Sequence, residues 1–224
     1  MSLKIDLHVH SKYSEDGKSS VEEIIKVLMK KKFHGVAITD HNEIKGALKA
    51  LKLADKNFVV IPGIEISTMD GHLIGLGVKE IIPRGLPVEE TVERIIESGG
   101  VPIVPHLFRA MSGIKKKKLK LIYKKIPAIE VFNSYSLPKT NIRVTKVAQT
   151  LKLGGTGGSD AHEVDHVGYG YTIVKNTDFS IDGILSEIQS KKTWGEGRTL
   201  PLEIRRDRMI KAVKDFFRRG FRRI

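Results

Sequence analysis

Residues 3–41 read LKIDLHVHSKYSEDGKSSVEEIIKVLMKKKFHGVAITDH. Leu3–Val9 is a short apolar run of strand character, and a polar stretch rich in serine follows it. From there Val21, Ile24, Ile25, Leu28 and Met29 recur at helical spacing, which predicts a helix over Ser20–Lys32. Ser19 or Ser20 can cap it, with Glu22 or Glu23 three residues on to close a capping box. A second apolar run, Gly35–Thr39, comes next. Strand, helix, strand is the unit, and it recurs along the chain. Further strands are expected at Phe58–Ile66, His72–Val78, Val101–Pro105, Ala128–Phe132, Gly154–Gly158 and Tyr171–Val174. Further helices are expected over 43–55, 88–98, 115–125, 139–152, 180–190 and 201–219. Short continuous apolar strands are those covered on both faces. Alternated with helices, they argue for a parallel α/β fold, either a barrel or a doubly wound sheet. No repeat or composition break precedes about residue 200. Residues 1–200 are therefore expected to form one domain, with 201–224 as a basic C-terminal helix or tail.

The chain has 224 residues, 40% hydrophobic and 29% charged, enough to build a core without staples. It has no cysteine, which excludes disulfides, thiolate metal sites and a thiol nucleophile together. Any metal must be held by histidine and carboxylate. No apolar run approaches the roughly 18 residues of a membrane span, and the N-terminus lacks an apolar h-region, so a cytoplasmic protein is expected. The net charge of +13 is concentrated in two places. Residues 115–125 carry seven lysines and no acid, and residues 205–224 carry nine Lys/Arg against Asp207 and Asp215. The rest of the chain is close to neutral.

Six of the eight histidines fall in conspicuous places. His8-x-His10 ends the first strand, where an i, i+2 spacing on extended chain points both rings to one side. Asp40-His41 follows the second strand, Glu65 closes the third, His106 follows the fifth, and Asp160-x-His162 follows the glycine-rich run 154–158. These are C-terminal strand ends, where α/β folds gather their chemistry. His72 is the exception, because it opens its strand. Nitrogen and oxygen ligands in this mixture suit zinc, manganese or iron better than calcium or magnesium. A single histidine near a strand end is more often an ordinary polar residue than a ligand, and His34 and His166 are read that way.

His8-Val9-His10-Ser11, Tyr13-Ser14-Glu15-Asp16-Gly17, Thr39-Asp40-His41, Gly63-Ile64-Glu65-Ile66-Ser67 and Gly158-Ser159-Asp160-Ala161-His162 resemble the motifs of the polymerase and histidinol phosphatase (PHP) family, in order, from residue 3 to about residue 197. The resemblance implies a distorted (β/α)7 barrel that hydrolyses phosphoesters with two or three divalent metals (Mn, Zn or Fe) at the C-terminal rim. It implies that His8, His10, Glu65 and Asp160 hold one metal. Glu65 would bridge to a second, completed by His106 and His72, and Asp16, His41 and His162 would hold a third. Many members carry histidine where this chain has Asp16. The resemblance places Asp160, His162 and Glu65 at the centre of catalysis. Asp40 is read as an acceptor orienting a ligand histidine, and Asn133 as a rim residue that either faces substrate or braces a ligand. A water on the third metal and His162 both stand as the acid for the leaving group.

Phosphate-binding cations are sought at Arg109, Arg143 and Arg198. In relatives the segment matching residues 129–133 often continues with glycine and a basic residue, whereas here it continues with Ser134-Tyr135. Helix 115–125 is expected to bury Leu119, Ile122 and Tyr123 beneath a solvated lysine face. In the tail, Arg205, Arg206, Arg208, Arg218, Arg219, Arg222 and Arg223 surround Phe216, Phe217 and Phe221. The expected arrangement packs Ile204, Met209, Ile210, Val213 and Phe217 onto the barrel and leaves the basic face outside. The leading function is hydrolysis of a small phosphorylated metabolite or nucleotide. The alternative is a nuclease acting on DNA or RNA ends, with 115–125 and 205–224 binding the backbone.

Overall fold

The computed structural model describes residues 2–175 and 178–220. Its strands are β1 (Ser2–Val9), β2 (Gly35–Ile38), β3 (Val59–Thr68), β4 (Gly71–Leu76), β5 (Val101–Val104), β6 (Ala128–Asn133), β7 (Gly154–Gly158), β8 (Gly170–Lys175) and β9 (Trp194–Gly197). Its helices are α1 (Val21–Lys30), α2 (Lys45–Leu51), α3 (Val88–Glu97), α4 (Lys116–Ile122), α5 (Pro138–Leu151), α6 (Ile181–Gln189) and α7 (Leu202–Arg218). Ser20 caps α1 in a complete capping box with Glu23, as the sequence pattern predicts.

The strands form one sheet in the order β7-β6-β5-β4-β3-β2-β1-β8-β9, curved into a nearly closed barrel. It departs from a simple parallel barrel in three ways. β4 runs antiparallel to both β3 and β5, β8 runs antiparallel to β1, and an extra strand, β9, pairs with β8. Strand direction leaves no mark on a local apolar pattern, so β4 and β8 read like the others. β9 contains two glycines in Trp194-Gly195-Glu196-Gly197 and carries almost no strand signal.

Closure differs along the barrel axis. At the rim β1 and β7 meet directly, through a parallel bridge between Val9 and Ala161 and through the Asp160 N–H donating to the His8 carbonyl at 2.7 Å. Lower down, β8 fills the gap. There the Gly157 N–H donates to the Thr172 hydroxyl at 2.8 Å, and that hydroxyl donates to the Gly157 carbonyl at 2.9 Å. Glycine is needed for so close an approach: a Cβ on Gly157 would stand 2.3 Å from the Tyr171 carbonyl oxygen and 2.9 Å from Gly195 Cα.

Two apolar clusters follow from the alternation of each strand. Leu3, Ile5, Leu7, Ala37, Ile61, Ile74, Leu76, Ile103 and Ala128 pack together with Ile184, Leu185 and Ile188 of α6. No residue of α1–α5 joins them, so they are the inward face, covered by α6. The outward residues Val36, Ile38, Val60, Ile64, Ile129 and Val131 pack against the apolar stripes of the surrounding helices. α4 buries Leu119 and Ile122, with Tyr123 packed beside them, and turns its lysines outward.

α7 reverses expectation. Met209, Ile210, Val213 and Phe217 are exposed, and only Ile204 of the expected set is half-buried. The side turned to the protein carries arginines instead. Arg205 donates to the Ser136 carbonyl at 3.1 Å, Arg208 reaches Asp16 at 3.3 Å, and Arg219 reaches Glu15 at 3.4 Å. Phe221, Arg222 and Arg223 lie outside the described residues.

Candidate metal centre

Glu65, the seventh residue of β3, is fully buried at the rim, and five imidazoles converge on its carboxylate. Oε1 lies 2.8 Å from His72 Nδ1 and 3.0 Å from His106 Nε2. Oε2 lies 3.1 Å from Nε2 of both His8 and His10, and 3.4 Å from His41 Nδ1. The antiparallel course of β4 explains His72. The start of β4 lies beside the end of β3, with Ser67 paired to His72, so a histidine opening this strand arrives at the same rim.

Asp160 supplies the second carboxylate. Its Oδ1 lies 3.5 Å from His8 Nε2 and 3.4 Å from His10 Nε2. Its Oδ2 accepts from the Arg109 guanidinium at 2.6 Å and from Asn133 Nδ2 at 3.2 Å. Arg109 thus braces a rim carboxylate. Arg143 lies over the Phe108 ring at 3.9 Å and Arg198 over the Tyr169 ring at 4.2 Å. Asp40 meets no histidine: its carboxylate accepts from the Ser11 N–H at 2.5 Å and the Ser11 hydroxyl at 2.7 Å, which pins the loop after His10 to the end of β2. The residue that orients a ligand ring is Glu130. Its Oε1 lies 2.9 Å from His8 Nδ1, and its Oε2 accepts from the His106 N–H at 2.8 Å and from Asn133 at 2.9 Å. With Nδ1–H donating to Glu130, His8 turns the Nε2 lone pair to the centre. The run Ile129-Glu130-Val131 held the signal, a carboxylate within an apolar strand and in the inward parity of Ala128.

A further group lies beside this pair of carboxylates. Ligand atoms of His10, Asp16, His41 and His162 fall within 4.8 Å of one another. The other such groups are His8 with His10 and Asp160, His8 with Glu65 and His106, and His41 with Glu65 and His72. His72 falls in a group with His41 and Glu65, and it also shares the Glu65 Oε1 oxygen with His106. Arg208 of α7 contacts both Asp16 and His162. A cavity of about 310 Å³ opens here, lined by Asp16, Tyr135, His162, His166, Arg208 and Lys211.

Two of the residues are held in unfavourable backbone conformations. His106 has φ of 26° and Asp160 has φ of 57°, a region L-residues avoid at a cost of about 1–3 kcal/mol. Each lies two residues past the end of its strand, β5 for His106 and β7 for Asp160.

The ionisation pattern follows from burial and neighbours. Burial opposes charge on His10, but hydrogen bonds to Asp160 and Glu65 outweigh it and lift it to about 9. Burial likewise opposes charge on His8, and Asp160, Glu130 and Glu65 still carry it well above its usual value. Burial also favours neutral carboxyls, yet the histidines around Glu65, and Arg109 with His8 around Asp160, hold both well below the carboxylate range. His106 and His162 are pushed down to about 4, by burial first and then by Arg109 and Arg208 respectively. Burial takes His41 down too.

These residues fit divalent cations. His8 Nε2 and His10 Nε2 face each other at 3.1 Å, and both face the same carboxylate oxygen. Among the described residues, buried His10 Nδ1 and His106 Nδ1 have no hydrogen-bond partner. Ring nitrogens this close to one another over one carboxylate oxygen form a site that a shared cation would satisfy, and a mixed histidine and carboxylate set suits zinc, manganese or iron.

Comparison with known proteins agrees with this geometry. The PHP domain matches residues 6–125, and the PHP-associated region matches residues 138–193. An uncharacterised protein of Methanocaldococcus jannaschii is 42% identical over 163 residues, 66% of this chain and 94% of its own length. A protein of Thermotoga maritima described as a probable histidinol-phosphatase is 27% identical over 203 residues, 74% of this chain and 87% of its own. A two-domain protein from Bacteroides vulgatus containing a predicted PHP-like metal-dependent phosphoesterase superposes with a TM-score of 0.75 at 17% identity, over 88% of this chain and 65% of that one. A lesion-specific endonuclease from Pyrococcus furiosus superposes at 0.62 with 16% identity, over 85% of this chain and 56% of that one. The two structural likenesses speak to the fold. The domain match over more than half of the residues, the Methanocaldococcus relative and the histidine-carboxylate rim together carry the assignment: the chain belongs to the PHP domain family of metal-dependent phosphoesterases.

Proposed function

We propose that this protein hydrolyses the phosphomonoester of a small phosphorylated metabolite or nucleotide. The observation that carries the reading is the convergence of His8, His10, His41, His72 and His106 on Glu65, with Asp160 beside it, at one rim. Divalent cations held by these residues would supply a water of lowered pKa and would neutralise charge building on the phosphoryl oxygens. The chain's own residues do the rest. Glu65 presents both oxygens to separate sets of imidazoles, so it suits a bridging place. Glu130 fixes the His8 ring through Nδ1 and supports the backbone of His106. Arg109 and Asn133 hold Asp160 in one orientation by charge-assisted and neutral hydrogen bonds. Asp160, His162 and Glu65 are the residues on which turnover depends.

A cavity of about 310 Å³ is at the small end for ligand pockets and suits a compact phosphorylated molecule. The histidinol-phosphatase relative favours the same class. The endonuclease neighbour and the arginines of α7 beside the rim favour the second reading, cleavage of nucleic-acid ends. Incubation with Mn²⁺ and a labelled 5′-phosphorylated oligonucleotide, alongside mononucleotides and sugar phosphates, separates the two. Phosphate release from the small esters with strand length unchanged is the expected result. Strand shortening that Asp160→Ala abolishes would replace it with the nuclease.

A further inference from the structure

The third ligand group already has a cation in it. Within the set His10, Asp16, His41 and His162, the Nδ1 of His162 lies 2.7 Å from the Asp160 carbonyl. A carbonyl only accepts, so Nδ1 carries the proton and Nε2 presents a lone pair. That lone pair stands 2.9 Å from Asp16 Oδ2, another acceptor. Two acceptors at this distance repel unless a donor or a cation serves both. Arg208 serves both: its NH2 donates to Asp16 Oδ2 at 3.3 Å and to His162 Nε2.

The placement of Arg208 is a property of the whole helix. α7 leaves Leu202, Met209, Ile210 and Val213 outside and turns Arg205 and Arg208 to the rim, against the usual rule that an amphipathic helix buries its apolar stripe. Tyr135 supports the guanidinium from beneath, with its ring 5.1 Å from the Arg208 Cζ. A permanent charge and planar donors let arginine hold such a place without losing its proton. A divalent ion bound to Asp16 Oδ2 and His162 Nε2 would lie close to the Arg208 NH2 that contacts both atoms, and like charges so close repel one another.

We infer that Arg208 is the third cation of this centre: the protein loads two divalent ions, on the ligands around Glu65 and Asp160, and the guanidinium takes the place of a third. Arg208 also lines the cavity of about 310 Å³, together with Lys211 and the carboxylates Glu163 and Asp207, so the same group can meet an anionic substrate there. The inference rests on the metal loading of the proposed function and not on its substrate.

Metal counting tests it. Full-length protein stripped with chelator is equilibrated with excess Mn²⁺, freed of unbound ion, and its manganese is measured per chain. Two ions are expected in the wild type and three in Arg208→Ala, with Arg208→Gln as a second neutral variant that gains the same ion. Arg208→Lys, which keeps a cation, retains two. Arg206→Ala removes a charge on the exposed side of the same helix, where Arg206 pairs with Asp207, and also retains two. Three ions in the wild type, an unchanged count in both neutral variants, or an equal gain in Arg206→Ala would overturn the inference. The count needs no turnover, so failure to hydrolyse any ester would sink the proposed substrate class and leave this result standing.

Discussion

Glu130 makes three contacts at the rim, to the His8 ring, the His106 backbone and Asn133, without facing the centre itself. Removing such a partner loosens the ligand it orients. Glu130→Gln is expected to weaken Mn²⁺ binding by roughly 10–100-fold in calorimetry while the chain stays folded; unchanged affinity would mean that the His8 ring is held by packing alone. Protons enter the same balance. His10 titrates at about 9 in the folded chain, above the ordinary 6.5, because Asp160 and Glu65 hold its charged form against burial. A raised folded value gives stability that is fully present below about pH 6.5 and is lost as pH rises through about 9. The metal-free protein is therefore expected to melt at a lower temperature at pH 9 than at pH 6.5. Mn²⁺ must displace the same proton, so its apparent affinity rises toward pH 9 and uptake acidifies a weakly buffered solution. A pH-independent affinity over this range would contradict the assignment of His10. Ligand-type residues were legible in the sequence because they cluster in short motifs at strand ends. Their partners were not: whether Asp40 meets a histidine or Ser11, and which way Glu130 points, depends on distant segments.

Most strands and helices were legible from apolar periodicity, down to the capping box of α1. The antiparallel course of β4 was not, and it decides how His72 joins the site. Nor was β9, whose glycines are there for close approach rather than for strand propensity. β7 shows the same use of glycine at the site. A Cβ on Gly158 would lie 2.3 Å from His8 Cβ and 2.9 Å from Glu130 Oε1. Gly158→Ala must displace one ligand and the carboxylate that orients it. The expected cost is about 1–3 kcal/mol in chemical denaturation, as for other overpacked positions, together with weaker Mn²⁺ binding. Wild-type stability and affinity in this variant would show that β7 and β1 approach less closely than described.

The whole molecule divides its surfaces by charge and polarity in a way that composition alone misreads. The +13 net charge comes from two segments used differently. α4 keeps its lysines in solvent, with Lys118 near Asp70 and Glu89. α7 turns Arg205, Arg208 and Arg219 to the protein and leaves Met209, Ile210, Val213 and Phe217 outside. A pattern of basic and apolar residues on a helix gives two faces but does not say which one docks; here the carboxylates at the rim attract the basic face. Met209→Ser should thus change stability by no more than about 0.5 kcal/mol, since the side chain is exposed, whereas Leu28→Ala in the packed face of α1 should cost about 2–5 kcal/mol. Equal losses in urea denaturation would mean that α7 docks by its apolar face. All of these arrangements place one centre at the mouth of the barrel, and its chemistry is open to a direct trial. Phosphate release from a small phosphomonoester is measured with chelator-stripped protein as Mn²⁺ is added back, for wild type and for Asp160→Ala. Release that is absent without metal, returns with Mn²⁺ in the wild type and stays absent in Asp160→Ala is the expected result. Full release from the stripped protein, or equal release by the variant, would contradict it.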